Sequence, residues 1–478
     1  MRKAFLFLCL LSLLSINNSG QSRRVNPKAP TPVNAAIVAL NDLSVEQLFN
    51  EANAYAKTKF AEYELKKIPY TDNLYKQTVL EQKQMAAKYA GAASRRPNLA
   101  GADFYFLGML NWLAENGEIA SDTFQKFLAH SDSVAAVEKS QTARSIIVVV
   151  AARRKNFAEA EKLLSEYLKI EPVKLSEHAK MENELAKSYV EDKDFERALP
   201  HAVEAYRATK AVFKDASSRA RGLSNLLGSG MKLFEIHKNN GKQKQADDAL
   251  EDLRRTAVLF QSNEIYYTAV DENIKFLIET GRKPLGLQLF ADALAQVNKD
   301  FTAKTLREDI TRRLKKRERQ YKLLGEPAPE LVDVERFLEG QPKTVASLRG
   351  KVVYLDFWAT WCAPCLEAFP SLIEWHQDYQ KEGLEILGLT RFYGTAEGFN
   401  VDKATELNFL TRFKKTHRLP YEFVIGKDNT NQISYAANAI PTTVLIDRKG
   451  IVRYIEIGSG ASRQAEIHAM IKKLLAEK

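Results

Sequence analysis

The spacing of hydrophobic and polar residues divides the chain into two parts. From about Asp42 to about Leu323, apolar residues recur at intervals of three and four among many Ala, Leu, Glu and Lys, and proline is scarce. This spacing predicts amphipathic α-helices. The run Gly325-Glu-Pro-Ala-Pro329 then interrupts the helical pattern, as glycine and proline do at boundaries. We therefore expect an all-α domain over residues 43–323 and a second domain over residues 324–478.

The second part carries uninterrupted apolar runs that are typical of buried strands. The first run spans residues 351–358, and three more span residues 384–390, 442–447 and 451–457. Helical spacing lies between the second and third of these runs and again after the fourth. Strands that alternate with helices in this way predict an α/β domain of about 150 residues.

A short motif repeats within the helical part. Ala120-x3-Phe124-x2-Phe127 places a small residue at the head of a helix and apolar residues four and seven positions later on the same face. It recurs with first positions at 160, 198, 246 and 286, in steps of 40, 38, 48 and 40 residues. The pattern resembles a degenerate tetratricopeptide repeat, most closely from Asn183 to Tyr206. An ordinary α-helical bundle with accidental spacing is the alternative, and either arrangement would offer a face to a protein partner.

Residues 1–20 have the features of a secretory signal peptide. Arg2 and Lys3 precede an apolar run from Ala4 to Ile16, which is too short to span a bilayer comfortably. Residues 21–42 contain three prolines and little periodicity, and they indicate a flexible leader. We therefore expect an exported protein, in the periplasm or another extracytoplasmic compartment. An uncleaved signal that tethers the protein to a membrane is the alternative.

The charge of the chain is basic but dispersed. The formal net charge of +10 falls to +8 when Arg2 and Lys3 are removed with the signal. Basic residues are interleaved with acidic ones, and no basic stripe alternates with aromatic residues. Such a stripe marks many nucleic-acid-binding proteins, so nucleic acid is not an expected partner.

Two of the three cysteines form the pattern Trp361-Cys362-Ala-Pro-Cys365, and the third, Cys9, lies in the predicted signal. A Cys-x-x-Cys pair either forms a redox-active disulfide or supplies half of a zinc site. A zinc site needs further Cys or His at metal spacing, but no two of the seven histidines lie within five residues of each other. The sequence therefore favours redox chemistry with no metal and no cofactor beyond the disulfide itself.

Cys362 is the expected nucleophile. It follows a predicted strand, and Ala363-Pro364 then opens a helix, where proline is favoured in the first turn. The unpaired amides and the dipole at a helix N-terminus stabilise a thiolate. Lowering the pKa of a thiol from about 8.5 to about 7 corresponds to roughly 2 kcal/mol. Cys365 lies one turn inside the helix, so we expect it to be the resolving thiol and the less exposed of the two.

The residues around this pair resemble the thioredoxin superfamily. They match its signature over Asp356-Phe-Trp-Ala-x-Trp-Cys-x-Pro-Cys365 and its cis-proline loop over Ile440-Pro441-Thr-Thr. Exported thiol-disulfide oxidoreductases of the TlpA/ResA type are the most similar members, through Gly325-x-Pro-Ala-Pro329 and Leu348-Arg-Gly-Lys-Val-Val353. The resemblance implies a thioredoxin fold. The expected fold class is therefore an all-α helical-repeat array followed by a thioredoxin-fold α/β domain.

The resemblance also implies roles for particular residues. Cys362 would attack a disulfide of a client protein, and Cys365 would resolve the resulting mixed disulfide. Asp356, in a strand that should be buried, would help to move the proton of Cys365. Ile440 and Pro441 would hold the backbone of the client beside the sulfur atoms.

Two tryptophans belong to the resemblance, and one position departs from it. Trp358 and Trp361 would pack the site and shape its rim, where Trp361 would contact the client. Proteins of the TlpA/ResA type commonly have a glutamate three residues after the second cysteine, where this chain has Ala368. They also often have an asparagine where Asp356 stands. The acid-base groups are therefore more similar to those of general thioredoxins, and a narrow role such as reducing apocytochrome c is not implied.

One segment of the second domain has no assigned role. Residues 390–400 run longer than the core thioredoxin fold requires. Residues Arg391 to Gly394 would either line the surface that meets the client or form a surface loop without a function.

These observations predict an exported thiol-disulfide oxidoreductase that reduces disulfides in client proteins, with a helical domain that binds a partner. A membrane-borne electron donor or acceptor would complete its cycle. The alternative is a helical interaction or scaffold protein in which the thioredoxin-like domain is accessory. A thiol peroxidase is less favoured, because the pattern Pro-x3-Thr-x2-Cys is absent.

Overall fold

The computed structural model of the protein describes residues 42–130, 132–214 and 219–477. The chain divides into two compact units after residue 249. The predicted signal peptide, residues 1–20, and nearly all of the predicted leader lie outside the described residues. No helix within the described ranges is long and apolar enough to cross a membrane.

The first unit consists of α-helices joined by short turns. Their bounds are α1 Val45–Leu65, α2 Asp72–Ala93, α3 Ala102–Leu113, α4 Gly117–Ala129, α5 Asp132–Ala135, α6 Val137–Arg153, α7 Phe157–Leu168, α8 Leu175–Glu191, α9 Phe195–Val212, α10 Arg219–Asn239 and α11 Gln243–Leu259. The last of them continues into the second unit. Helices that follow each other pack together, as α3 does with α4, α6 with α7 and α8 with α9. This confirms the all-α character predicted for this part of the chain.

The second unit begins within α11, continues through three long helices and ends in a mixed β-sheet with its own helices. The helices are α12 Asn263–Glu279, α13 Lys283–Asp300 and α14 Lys304–Leu323. The strands are β1 Val334–Leu338, β2 Val352–Phe357, β3 Leu384–Arg391, β4 Thr395–Ala396, β5 Phe399–Asn400, β6 Glu422–Gly426, β7 Thr442–Ile446 and β8 Val452–Ile457. The helices among them are α15 Ala363–Leu366, α16 Phe369–Tyr379, α17 Lys403–Thr416, α18 Thr430–Ser434 and α19 Ala461–Ala476, with 3-10 turns at Ala346–Leu348 and Gln380–Glu382.

The repeated motif marks buried positions on the second helix of successive helix pairs. Ala120, Phe124 and Phe127 are buried in α4, and the matching residues are buried in α7, α9, α11 and α13. The helices approach closely at these positions. A Cβ at Gly108 of α3 would lie only 2.6 Å from the ring of Phe124. Burial thus follows the predicted period, whereas the likeness to tetratricopeptide repeats stays a prediction.

The main sheet has the strand order β1-β6-β3-β2-β7-β8. Strands β2, β3 and β6 run parallel, while β1, β7 and β8 run antiparallel to their neighbours. All six residues of the central strand β2 are buried, which explains its uninterrupted apolar run. The helix-flanked sheet confirms the predicted thioredoxin fold. The sequence patterns did not predict β1 and β6, which are short and begin with or contain charged residues.

The segment after α14 joins the sheet beside β8. The Gly325 N–H donates to the Val452 carbonyl at 2.8 Å, and the Val452 N–H donates to the Glu326 carbonyl at 2.9 Å. These bonds cover strand edge groups that would otherwise be unpaired. The sequence pattern changes after Leu323, but α12, α13 and α14 belong to the same compact unit as the sheet.

Candidate active site

The two cysteines lie between β2 and α15. Strand β2 ends at Phe357, and Cys362 immediately precedes Ala363, the first residue of α15. A disulfide joins Cys362 to Cys365, with an S–S distance of 2.04 Å and Cα atoms 5.3 Å apart. Cys362 is 5% exposed and Cys365 is 1% exposed, so the first cysteine of the pair is the more accessible.

The helix that follows the first cysteine is broken after one turn. Helix α15 ends at Leu366, and α16 begins at Phe369 with Pro370 in its first turn. Proline has no amide hydrogen for a helical bond, so it is tolerated where a new helix begins. Cys362 occupies the N-cap position of α15. The free amides and positive dipole end of that turn would favour a thiolate there after reduction.

Asp356 is a carboxylic acid buried within the sheet. It is 2% exposed, and its Oδ2 has no hydrogen-bond partner among the residues described. Burial raises the pKa of this carboxyl group from its usual 3.8 to about 7, because the ionised form would lose its hydration. A group with such a pKa exchanges its proton near neutral pH, as an acid-base catalyst requires.

Two aromatic side chains lie near this carboxyl group. Asp356 pairs with Gly388 of β3, and a Cβ at Gly388 would lie 3.0 Å from Trp358 Nε1 and 3.3 Å from Tyr421 Cε2. Neither Trp358 Nε1 nor the Tyr421 hydroxyl has a partner within the described part of the chain. Glycine at position 388 therefore leaves room for two polar aromatic groups near the carboxyl group.

The loop before β7 contains the cis-proline. The Ile440–Pro441 peptide bond is cis, Pro441 is buried and Ile440 is half-buried. Ile440 packs against the hydrophobic cluster that includes both cysteines. The Thr442 hydroxyl donates to the Ala439 carbonyl at 2.5 Å, which closes the loop on itself. The structure thus brings one residue expected to contact the client into the same cluster as the cysteines.

The two tryptophans of the motif occupy different environments. Trp361 is 60% exposed, and its ring meets that of Tyr393 edge-on, with centroids 5.3 Å apart. Trp358 is fully buried and packs against Phe369 and Phe413. Trp361 therefore forms the rim of the site, whereas Trp358 packs beneath it.

A cleft of about 410 Å³ opens beside Trp361. Its lining consists of Thr360, Trp361, Tyr393, Thr395, Glu397, Gly398 and Phe409. The Glu406 carboxylate of α17 accepts hydrogen bonds from the N–H groups of Tyr393 and Gly394, each at 2.8 Å, and so anchors one wall. The extra segment of residues 390–400 therefore stands at the rim of the site.

The described residues contain no group of three or more His, Cys, Asp or Glu side chains arranged to hold a metal ion. The sulfur atoms of Cys362 and Cys365 are bonded to each other. This arrangement supports exchange between a thiol and a disulfide.

Comparison with known proteins identifies the family. The model of the AhpC/TSA family matches residues 324–455. The thiol-disulfide oxidoreductase ResA of Geobacillus thermodenitrificans is 33% identical over 145 residues, which are 30% of this chain and 75% of ResA. The chain belongs to the ResA family of thiol-disulfide oxidoreductases. The predicted enzyme class, a thioredoxin-like thiol-disulfide oxidoreductase, is thereby confirmed.

Other proteins of the thioredoxin type match a similar share of the chain. The thioredoxin-like protein YneN of Bacillus subtilis is 29% identical over 142 residues, which are 30% of this chain and 76% of YneN. A solved thiol:disulfide interchange protein of the thioredoxin family from Chlorobium tepidum is 22% identical. It covers 32% of this chain and 97% of its own length, with a TM-score of 0.26.

Two residues of the ResA-like site were not identified from the sequence. They are Glu406, which anchors the rim, and Tyr421, near the carboxyl group of Asp356. A signal for Glu406 is present in the sequence, because this charged residue stands at a position that helical spacing assigns to the buried face of α17. Nothing local in the sequence marks Tyr421, whose position near Asp356 depends on the packing of distant strands.

Proposed function

We propose that the protein is an exported enzyme that reduces disulfide bonds in client proteins. One observation carries the proposal: the buried carboxyl group of Asp356, whose Oδ2 has no hydrogen-bond partner in the described ranges, lies in the strand that leads to the cysteine pair. Thiol-disulfide chemistry as such follows from membership of the ResA family. The direction of the reaction, the client and the export are the parts proposed.

The reaction starts from the dithiol form of the enzyme. The Cys362 thiolate attacks one sulfur of the client disulfide, which forms a mixed disulfide and releases the other client sulfur as a thiolate. Cys365 then attacks the sulfur of Cys362 and releases the second client thiolate. Asp356 accepts the proton that Cys365 loses. Each cycle passes two electrons to the client and leaves the Cys362–Cys365 disulfide.

Two features support reduction of clients over their oxidation. Asp356 has a pKa of about 7, so about half of it is a base at neutral pH and able to deprotonate Cys365. The isoleucine before the cis-proline, Ile440, is similar to that of reducing thioredoxins. A membrane-borne donor would return the enzyme to its dithiol form, because exported proteins lack the reductants of the cytoplasm.

The client would lie between two walls of the site. The Ile440–Pro441 peptide offers a backbone edge next to the cysteine cluster, and Trp361 with Tyr393 lines the cleft on the exposed side. Clefts with aromatic walls and a few polar groups bind apolar groups and orient them. We infer that an apolar or aromatic side chain near the client's half-cystine occupies the cleft.

Export and partner binding rest on the sequence. Residues 1–20 have the features of a signal peptide, which supports a periplasmic or other extracytoplasmic location. The motif that repeats within residues 43–323 supports a tetratricopeptide-like face for a protein partner, since stacked helix pairs form extended binding surfaces.

The test is reduction of insulin disulfides by the full-length chain, with dithiothreitol as the source of electrons. We expect Cys362→Ser to lower the enzyme-dependent rate by about 10³-fold or more, because the attacking nucleophile is lost. We expect Cys365→Ser to accumulate mixed disulfides. Ser462→Ala, on the exposed surface of α19, serves as the control and should match the wild type.

Two outcomes would count against the proposal. A Cys362→Ser variant as active as the wild type would contradict a dithiol mechanism. A strongly oxidising reduction potential, together with failure to reduce insulin, would overturn the direction. If Cys362→Ser also kept the cellular phenotype and its partners, the scaffold alternative would explain the protein better.

A further inference from the structure

Helix α14 contacts the loop that leads to the cis-proline. The Gln320 side-chain amide donates to the Ala436 carbonyl at 3.2 Å. The Asn438 side-chain amide donates in the other direction, to the Lys316 carbonyl at 3.3 Å. Gln320 is 0% exposed, whereas Asn438 and Lys316 lie at the surface. One buried and one exposed hydrogen bond therefore join this helix to the loop.

The contacted loop continues directly into the peptide that is expected to hold the client. Residues Ala436–Asn438 follow α18, and Ile440–Pro441 comes two residues later. The Ala437 N–H donates to the Gln432 carbonyl of α18 at 2.8 Å. The start of the loop is thus attached to α18 and its middle to α14. A shift of this middle part would move the cis-proline peptide with it, since only one residue separates them.

Helix α14 is itself fixed to the sheet by charged groups. Arg317, between the two loop-contacting residues of the helix, donates to both carboxylate oxygens of Glu456 in β8, at 3.0 and 3.2 Å. Its Nε donates to Asp271 of α12 at 3.1 Å. Lys275 of α12 also donates to Glu456, at 3.0 Å. Arg317 and Lys275 therefore face the carboxylates of Asp271 and Glu456 in a buried cluster, and the bidentate guanidinium contact sets the orientation of the helix.

This support lies outside the part of the chain that matches the family. The AhpC/TSA match begins at residue 324, one residue after α14 ends. The Ala436 carbonyl also accepts from the Asn438 N–H within the loop, at 3.0 Å. Loss of the Gln320 amide would remove the buried donor that ties this carbonyl to α14, and the loop would then be free to shift. The cysteines would keep their own contacts, because neither hydrogen bond involves them.

We propose that Gln320 and Asn438 are positioning residues, through which α14 sets the place of the Ile440–Pro441 peptide and hence the binding of the client's backbone. The inference rests on the proposed function and deepens it. It assigns a part in client binding to a helix that precedes the thioredoxin-like sequence. It also predicts that loss of these contacts weakens client binding without changing the reactivity of the sulfur atoms.

The experiment compares full-length wild type with Asn438→Ala and Gln320→Met in insulin reduction. We expect KM to rise about five- to ten-fold in each variant, the factor that corresponds to one lost hydrogen bond, and kcat to stay within about two-fold. The rate at which dithiothreitol reduces the Cys362–Cys365 disulfide should also stay within about two-fold. Gln288→Met, which removes an exposed amide from α13, is the matched control and should leave KM unchanged.

The outcomes separate the inference from the function on which it rests. If folded Asn438→Ala has the same KM for insulin as the wild type, the positioning role is wrong. Reduction of insulin by the wild type would still support the proposed disulfide-reducing function. Asn438 is exposed, so this variant decides the matter even if Gln320→Met fails to fold. An equal loss in dithiothreitol reactivity would place the effect at the sulfur atoms and also overturn the inference. A wild-type chain without turnover would remove the proposed function, and the inference with it.

Discussion

Asp356 and Glu456 are carboxyl groups buried in the same sheet with opposite surroundings. Asp356 pairs with Thr443 of β7, and Thr443 pairs with Glu456 of β8, so the three residues form one row across the sheet. Adjacent strands lie about 4.8 Å apart, which separates the two acidic residues by about 10 Å. Asp356 is 2% exposed and Glu456 is 6% exposed, so burial alone does not distinguish them.

Their partners do distinguish them. Lys275, Arg317 and Arg463 each have a nitrogen within 3.3 Å of a Glu456 carboxylate oxygen. Burial opposes ionisation of Glu456, but the charges of Lys275 and Arg317 outweigh it and hold its pKa below the usual value. Among the described residues no such cation offsets the burial of Asp356, whose pKa rises to about 7.

The difference indicates separate roles for the two carboxyl groups, a structural one for Glu456 and a proposed acid-base one for Asp356. Glu456 stays ionised throughout the neutral range and fixes α14 to the sheet. The pKa of Asp356 lies within that range, so it is the group of the two that we propose serves the cysteines. Burial of Asp356 at the candidate active site is not offset by opposite charge, whereas burial of Glu456 at the sheet edge is offset by neighbouring cations.

The largest expected effect is on the pH dependence of stability in Asp356→Asn. In the wild type, the folded pKa of about 7 exceeds the usual 3.8, so stability falls as pH rises from about 4 to about 7. The total loss is roughly 4 kcal/mol. The oxidised Asp356→Asn variant should therefore be more stable than wild type by up to that amount at pH 8, and by little below pH 4. Urea unfolding at both pH values measures this.

Glu456→Gln is the matched comparison with the opposite sign. The folded pKa of Glu456 is lowered, so its contribution is present above the usual pKa and is lost as pH falls through the folded value. The variant should be less stable than wild type at pH 8, and the deficit should shrink in acid. The same pH trend in both variants would remove the distinction between the two carboxyl groups.

Arg317→Met should have the next largest effect, because it takes the bidentate partner from Glu456 and leaves Lys275 and Arg463. We expect the free energy of unfolding to fall by about 3 kcal/mol, the lower end of the range for a broken buried ion pair. Arg319→Met, on the exposed side of the same helix, should change stability by no more than about 0.5 kcal/mol. Chemical unfolding at pH 7 compares them. Equal stability of the two variants would show that the cluster does not hold α14.

Trp361→Ala should have the smallest effect. Trp361 lies at the exposed rim, where it would contact the client, and its loss should not change the surroundings of the Asp356 or Glu456 carboxyl groups. We expect a rise in KM for insulin of about five-fold, the scale of one aromatic contact, with the dithiothreitol reaction unchanged. Phe399→Ala removes an exposed aromatic residue of β5 that does not line the cleft and serves as the control. Equal KM values for the two variants would argue against the cleft as a client site.

The parts of the site that the sequence revealed are those whose signals are local. The cysteine pair, the apolar run that contains Asp356 and the Ile440–Pro441 peptide each occupy a few consecutive residues. The all-α and α/β character of the two parts followed from periodicity, because spacing of three and four and uninterrupted apolar runs report which faces are buried. The thioredoxin fold itself followed from the resemblance to that superfamily.

The partners of Glu456 depend on contacts between distant segments. Arg317 stands among many basic residues of α14, most of which are solvated, so nothing in the pattern singles it out. Glu456 lies 139 residues further along the chain. The same limit applies to Gln320, whose acceptor is 116 residues away. Long-range pairings of this kind are fixed by packing and leave no periodic trace.

The most direct test of the account is the rate at which Cys365 resolves a mixed disulfide, measured in single turnovers from pH 5 to pH 9. In the wild type we expect the rate to rise through an apparent pKa of about 7, as Asp356 becomes a base. Asp356→Asn should resolve the disulfide on the order of 10²-fold more slowly at pH 8 and show no inflection near 7. An unchanged profile in that variant would contradict the claim that the buried carboxyl group serves the cysteines.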